Sequence, residues 1–255
     1  MLFTSIIYGP IHSRRLGVSL GVNLMPTDKK LCTFNCVYCE CGWNTQALYP
    51  LLPSRAAVRQ ELEAKLIALQ ADSIRPDVIT FSGNGEPTLH PDFLGIIQDT
   101  CALRDRYCPS AKVSVLSNST QLGRTEVREA LMLVDNRILK LDSAIDETMR
   151  RIDQPLNQEL TVAQIKEWLA WFRGDFTLQT CFLRGEHAGQ PIDNTTETEL
   201  KAWYQAVEQL RPKQLMIYVI DRATPEQHLE KITRDEMERI AAPLQAKGFP
   251  ISISA

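Results

Sequence analysis

The sequence lacks any long hydrophobic run. No apolar stretch reaches the roughly 18 residues that a membrane-spanning helix needs, and the longest, such as residues 215–220, have the length of a β-strand. The first ten residues, MLFTSIIYGP, show neither the basic segment nor the small-residue cleavage site of a secretory leader. We therefore expect a soluble cytoplasmic protein that does not associate with a membrane.

An excess of charge of one sign is also missing. Twenty-eight Lys and Arg residues face 31 Asp and Glu residues, a net charge of −3, which argues against binding nucleic acid through bulk positive charge. Hydrophobic residues at 44% and charged residues at 23% exclude wholesale disorder. Linkers, repeats and low-complexity tracts are absent as well. We expect a single domain over residues 1–255, with a core at about 16–246.

Short apolar stretches alternate along the chain with longer amphipathic ones. The predicted strands are residues 18–24, 77–82, 112–117, 137–141, 176–183 and 214–220. The predicted helices are residues 54–69, 91–104, 125–133, 161–172, 195–210 and 233–246. Repeated strand-then-helix units predict an α/β fold of parallel strands with outer helices. Periodicity alone leaves open whether the sheet closes into a barrel.

Polar residues follow these strands at their carboxyl ends. They are residues 82–88 after the second strand, Ser117 and Asn118 after the third, Asp142 and Ser143 after the fourth, and Asp221 and Arg222 after the sixth. Carboxyl ends of parallel strands share one edge of a sheet, where α/β proteins bind ligands. We expect these side chains to converge on one site.

Four of the seven cysteines lie within ten residues of one another. Cys32, Cys36 and Cys39 have the spacing C-x3-C-x2-C, and Cys41 follows. The odd total and the expected reducing compartment favour a metal or redox site over a disulfide framework. Three thiolates in one loop suit an iron–sulfur cluster, and a four-iron cluster held by three ligands keeps one iron open.

Two other interpretations of the cysteines stay open at this point. A structural zinc site would use all four, although such sites usually draw their ligands from two separated pairs. A thioredoxin-like C-x-x-C at Cys36 and Cys39 would normally open a helix, whereas the residues that follow, 40–44, are typical of a loop.

The cysteine motif, with Tyr38 directly before its last cysteine, resembles the signature of the radical S-adenosylmethionine (radical SAM) superfamily. The segment FSGNGEPT at 81–88 is similar to the superfamily's Gly-Gly-Glu-Pro element. YGPIHSRRLGVSLGVNL at 8–24, RRIDQP at 150–155 and IYVIDRATPE at 217–226 resemble one subgroup, which includes the radical SAM enzymes of wyosine-type tRNA modification. The similarity covers nearly the whole chain and implies a partial (β/α)6 barrel.

The resemblance implies two cofactors, a [4Fe–4S] cluster and S-adenosylmethionine. It assigns Cys32, Cys36 and Cys39 as cluster ligands and leaves Cys41 outside the motif. It implies that one electron cleaves the sulfonium and that the resulting 5′-deoxyadenosyl radical abstracts hydrogen from a substrate. The electron would come from a donor such as flavodoxin or ferredoxin.

The resemblance also implies contacts with S-adenosylmethionine. The residues expected to make them are Tyr38, Gly83, Asn84, Gly85, Glu86, Ser117, Asn118, Asp142 and Ser143. Glycines let the backbone approach the bound amino group, and Glu86 either adds an acceptor or fixes the loop. Asn84 replaces the usual second glycine, and we expect it to be tolerated because Asn visits positive φ.

The residues that would act on a substrate are not defined by a motif. Cys181 and Arg222 are the candidates, although Cys181 is also well suited to a buried apolar position. Ser13, Arg14 and Arg15 could bind an anion through the guanidinium groups or form surface ion pairs.

The substrate is not identified by the sequence, and a small molecule, a peptide or RNA is compatible with it. Wyosine-forming relatives carry a second set of cysteines before the motif, whereas no cysteine precedes Cys32 here. The first hypothesis is therefore a radical SAM enzyme acting on an unidentified substrate. The alternatives are an RNA-modifying radical SAM enzyme and a non-catalytic, zinc-stabilised α/β binding protein.

Overall fold

The structure is a computed structural model that describes residues 2–13, 16–44 and 51–255. The chain divides into two compact units. The first comprises Met1–Cys32 and Asn44–Arg137, and the second Thr33–Trp43 and Ile138–Ala255. Within the described ranges, no helix combines the length and the apolar character needed to cross a membrane. The expectation of a single domain stays a prediction.

Among its described residues, the first unit contains four complete strands, which follow one another in the order of the chain. They are β1 (Ile7–Ser13), β2 (Gly17–Val22), β3 (Val78–Phe81) and β4 (Lys112–Ser117). β1 pairs with β2 antiparallel, whereas β2, β3 and β4 are mutually parallel. Helices α1 (Arg55–Ala71), α2 (Phe93–Tyr107) and α3 (Thr125–Leu133) connect or follow the parallel strands.

Helix α1 shows why these elements form where the sequence pattern predicts them. Val58, Leu62, Leu66 and Leu69 recur at three- and four-residue spacing, and all four are buried. The Ser54 hydroxyl accepts a hydrogen bond from the Ala57 amide at 3.2 Å and so caps the first turn.

The second unit is built around one long strand, β6 (Thr177–His187). The other strands are β5 (Asn136–Lys140), whose first two residues belong to the first unit, β7 (Gln190–Asp193), β8 (Gln214–Val219), β9 (Leu229–Lys231) and β10 (Ile251–Ser254). β5, β6, β8 and β10 are parallel neighbours in that order, and β7 and β9 pair antiparallel with β6. The helices are α4 (Asp146–Asp153), α5 (Val162–Ala170), α6 (Glu197–Leu210) and α7 (Arg234–Ala246).

All six predicted strands and all six predicted helices are present, with boundaries that differ by a few residues. The sequence analysis missed β1, β7, β9, β10 and α4. Helix α4 is mostly charged and buries only Met149, Ile152 and Asp153, so it lacks an apolar stripe.

Candidate functional site

In the first unit, the loop after β3 pairs with the residue that precedes the first cysteine. The Leu31 amide donates to the Asn84 carbonyl at 2.9 Å, and the Glu86 amide donates to the Leu31 carbonyl at 3.1 Å. Gly85 lies between them with φ +145°, and a Cβ there would be 1.7 Å from the Leu31 carbonyl oxygen. The glycine is therefore required for the close backbone approach that holds the start of the cysteine segment.

The Asn84 side chain supports this loop from within the protein. It is fully buried, and it binds the Phe3 amide and carbonyl, both at 2.8 Å, and the Pro26 carbonyl at 2.7 Å. Its backbone amide donates to the Asn23 side chain at 3.0 Å. Asn84 does not have positive φ, so the conformational reason that we gave for its replacement of glycine is wrong. The amide is needed instead for its hydrogen bonds.

Glu86 joins the loops that follow β3 and β4. Its carboxylate accepts from the Asn118 amide at 2.6 Å and from the Thr88 amide and hydroxyl at 3.1 and 2.5 Å. Burial raises the pKa of Glu86, and these hydrogen bonds offset part of that rise. Of the two roles expected for Glu86, the structure supports the fixing of the loop.

Asn118 connects the end of β4 to the first cysteine. Its side-chain amide donates to the Cys32 sulfur at 3.4 Å, while its carbonyl oxygen accepts from the Thr120 amide at 3.1 Å. The Ser117 hydroxyl accepts from the Ser119 amide at 3.1 Å. Both predicted residues are buried, and Asn118 is the one that contacts a predicted ligand.

In the second unit, the backbone around Cys36 pairs with the end of α4. The Asn35 amide donates to the Asp153 carbonyl at 2.8 Å, and the Val37 amide donates to the Ile152 carbonyl at 2.9 Å. The Val37 carbonyl accepts from the Glu226 amide at 3.2 Å. The segments RRIDQP and IYVIDRATPE, quoted above for the subgroup, therefore position the cysteine loop.

Tyr38 and Asp142 form one hydrogen-bonded pair in the second unit. The Tyr38 hydroxyl donates to Asp142 Oδ2, and the Cys181 amide donates to Oδ1 of the same carboxylate at 2.9 Å. Burial and then the Asp142 charge raise the pKa of Tyr38 well above its usual range. Asn194 braces the pair by donating to the Asp142 carbonyl at 2.8 Å.

A buried lysine lies against the second cysteine. Lys140 ends β5 and donates to the Cys36 sulfur at 2.9 Å. Its ammonium also pairs with Asp153 and, at 3.1 Å, with Asp142. Burial lowers the pKa of Lys140, but the two carboxylates outweigh this effect and raise it well above its usual range. Burial also raises the pKa of Asp153.

Three other predicted residues are accounted for within the second unit. Ser143 is buried and donates to Glu199 at 2.7 Å. Cys181 is fully buried in an apolar cluster with Val37 and Ile152, as expected of a small apolar side chain. Arg222 is exposed and pairs with Glu40 at 2.7 Å.

Sequence reasoning assigned no role to Lys140, Asp153 or Asn194. The available signal was a lysine directly after two apolar strand residues and two positions before Asp142. Arg14 and Arg15, for which anion binding and surface ion pairs were both considered, lie outside the described residues.

The residues present fit an iron–sulfur cluster by their chemistry. Cys32, Cys36 and Cys39 carry thiols rather than disulfides. Cys32 and Cys36 each receive an N–H donor, from Asn118 and Lys140, and hydrogen bonds of this kind to sulfur tune a cluster's potential. Within the described ranges, no three Cys, His, Asp or Glu side chains are already grouped as a metal site.

Three solved structures show the class of fold. A radical SAM methyltransferase from Sphaerobacter thermophilus is 11% identical, with a TM-score of 0.62 over 92% of this chain and 65% of its own. SuiB of Streptococcus suis bound to S-adenosylmethionine is 11% identical, with a TM-score of 0.64 over 91% and 50%. TYW1 with a lysine-pyruvate adduct is 16% identical, with a TM-score of 0.61 over 89% and 73%. The predicted radical SAM fold class is confirmed.

The curated relatives define the family. A UPF0026 protein of Synechocystis sp. is 33% identical over 200 residues, covering 75% of this chain and 67% of that protein. A UPF0026 protein of Helicobacter pylori is 28% identical over 252 residues, covering 97% and 76%. The chain belongs to the UPF0026 family.

A third relative is longer than this chain. The chain is 29% identical over 244 residues to a protein named GTPase Obg of Brachyspira hyodysenteriae, and it spans a third of that protein's length. No family model matches the chain.

Proposed function

We propose that this protein is a radical SAM enzyme that binds a [4Fe–4S] cluster through Cys32, Cys36 and Cys39. The observation that carries the proposal is the C-x3-C-x2-C spacing of these cysteines in a chain with the radical SAM fold. The N–H donors at the Cys32 and Cys36 sulfurs support it, because they stabilise sulfur in its negatively charged, metal-binding form.

When bound, the cluster and S-adenosylmethionine would supply one-electron reductive cleavage of the sulfonium and, through it, abstraction of a hydrogen atom from the substrate. The electron comes from a low-potential donor of the flavodoxin or ferredoxin class. S-adenosylmethionine binding is in keeping with the structure of SuiB, which holds that molecule.

The protein's own residues would hold and orient these groups. Residues 83–85 would lie beside the amino group of S-adenosylmethionine, as the resemblance to the Gly-Gly-Glu-Pro element implies. The Asn84 carbonyl already accepts from the Leu31 amide, so it would not be the acceptor. Glu86 keeps this loop aligned with Asn118 through its buried carboxylate. Asp142 orients Tyr38 by accepting from its hydroxyl. The tyrosine ring would then be available to the adenine, as the resemblance implies.

The proposal leaves the substrate as an organic molecule that donates a hydrogen atom. SuiB has also been solved with its precursor peptide SuiA, so the fold accommodates a peptide in that protein. For this chain, a peptide and a small molecule stay open, and RNA is the alternative that the net charge of −3 disfavours. Arg222, which is exposed, is the candidate for contact with an acidic group of the substrate.

The test is anaerobic reconstitution with iron and sulfide, followed by reduction with dithionite in the presence of S-adenosylmethionine. We expect about four irons and four sulfides per chain, and release of 5′-deoxyadenosine and methionine. Cys36→Ala should lose both the iron and the cleavage. The matched control is Cys101→Ala, which removes a thiol from α2 in the first unit. Zinc binding without cleavage by the wild-type protein would overturn the proposal.

A further inference from the structure

Lys140 occupies a position that neither the cysteine motif nor the predicted S-adenosylmethionine contacts explain. Its side chain is only 9% exposed, although lysine is almost never buried without a partner. Three negatively polarised atoms surround its ammonium: the carboxylates of Asp142 and Asp153 and the sulfur of Cys36, which lies at 2.9 Å. The Lys140 ammonium therefore contacts both a predicted cluster ligand and two buried carboxylates.

The cysteine loop encloses this ammonium from more than one side. The Lys140 nitrogen lies 5.0 Å from the ring centre of Phe34 and 5.0 Å from that of Tyr38, which flank Cys36 in sequence. Both distances are within the range of cation–π attraction. The backbone bond from Val37 to Ile152 holds the same loop against α4. The ammonium is thus held at the Cys36 sulfur by the two aromatic rings as well as by the two carboxylates.

The effect of this contact on the reduction potential of a cluster bound at Cys36 depends on charge. A reduced cluster carries one more negative charge than an oxidised one, and a nearby cation stabilises the more negative state. This attraction is strong where water is excluded, as it is around Lys140. Net charge and hydrogen bonds to sulfur are among the factors that set the potential of an iron–sulfur cluster.

We propose that Lys140 is a positioning residue that donates a charged hydrogen bond to the Cys36 sulfur and thereby raises the reduction potential of the cluster. The inference rests on the proposed function, because it requires that Cys36 bind iron. Asp142 and Asp153 hold the ammonium at the sulfur. A lysine whose role was only to stabilise the fold would change the stability of the protein when replaced and leave the potential unchanged.

The experiment compares the midpoint potentials of reconstituted wild type, Lys140→Met and Lys140→Arg, measured by electron paramagnetic resonance during a redox titration. We expect Lys140→Met to disfavour reduction at least tenfold, which is 59 mV for a one-electron couple. Lys140→Arg, which keeps the charge, should stay closer to wild type than Lys140→Met. Lys201→Met on α6 is the matched control, because Lys201 is exposed in the same unit.

Thermal unfolding of the same variants separates a structural role from an electrostatic one. If Lys140→Met lowers the unfolding temperature but keeps the wild-type potential, the inference is overturned while the proposed function stands. If wild type itself binds no iron, the proposed function fails first. If Lys140→Met does not fold, the comparison is made between Lys140→Arg and Lys140→Gln, and equal potentials in these two would overturn the inference.

Discussion

At the scale of single residues, Gly85 is the position where a side chain has least room. A methyl group there would meet the Leu31 carbonyl, a backbone atom held by its own hydrogen bond from Glu86. We expect Gly85→Ala to lower the free energy of unfolding by at least about 2 kcal/mol, since backbone strain and a steric clash act together. Urea denaturation measures this change.

The control for this substitution is Gly248→Ala. Gly248 also has positive φ, at +85°, but a Cβ there would have no neighbour within 4 Å. This variant should lose about 1 kcal/mol of stability, which is the cost of a left-handed backbone conformation for a residue with a Cβ. Equal losses in the two variants would show that the contact with Leu31 does not matter.

Glu226 links stability to pH. Its carboxylate binds His187 at 2.7 Å and the amides of Gln227 and His228 at 2.7 and 3.2 Å, and the His187 contact is the main reason why its pKa is lowered to about 2. An unfolded glutamate titrates near 4.5, so this contribution is complete above that pH and is lost as the pH falls toward 2.

We therefore expect Glu226→Gln to show a smaller fall in unfolding temperature between pH 6 and pH 3 than wild type. Circular dichroism melts at the two pH values provide the comparison. Glu61→Gln, an exposed substitution on α1, serves as the control and should keep the wild-type fall. A wild-type fall in Glu226→Gln would contradict the assignment.

At the scale of elements, α1 offers a test of capping. The Ser54 hydroxyl satisfies the Ala57 amide, which has no partner within the helix. Ser54→Ala should cost about 1 kcal/mol of stability, whereas Ser54→Asp should retain the cap because its carboxylate accepts the same bond. Denaturant unfolding of the two variants distinguishes loss of the cap from a general effect of substitution at this exposed position.

The predicted elements are those whose own residues specify them. The stripe of α1 is visible as helical periodicity and β3 as a short run of β-branched and apolar residues, and both elements are present as predicted. Helix α4 is specified differently: its last residues are held by amides of Asn35 and Val37, more than a hundred residues earlier. Contacts between such distant segments leave no local pattern, so this helix was missed.

At the scale of the molecule, the site also combines features that a local sequence pattern specifies with features that only distant contacts specify. The cysteines and the glycine-containing loop are contiguous motifs and were predicted from spacing and resemblance. The inward direction of the Asn84 side chain and the burial of Lys140 arise from tertiary packing that spacing does not encode. For that reason, Lys140 fell within a predicted strand without receiving a role.

The net charge supports a prediction about RNA. With −3 overall, the chain lacks the basic surplus that gives non-specific affinity for phosphate backbones. We expect unfractionated tRNA to bind no tighter than about 10⁻⁵ M at 0.15 M salt, as measured by fluorescence anisotropy. Tighter binding that weakens steeply with added salt would contradict this expectation and favour an RNA substrate.

Strand β6 combines two kinds of partner. Residues Thr177–Phe182 pair in parallel with β8, whereas Arg184–His187 pair antiparallel with β7 through a turn at Ala188 and Gly189, which have φ of +50° and +75°. The hairpin closes over two residues, while the parallel partner lies more than thirty residues away. Closing a short loop costs less entropy than closing a long one. We therefore expect the carboxyl half of β6 to become ordered first. It then supplies the template on which the parallel sheet is completed.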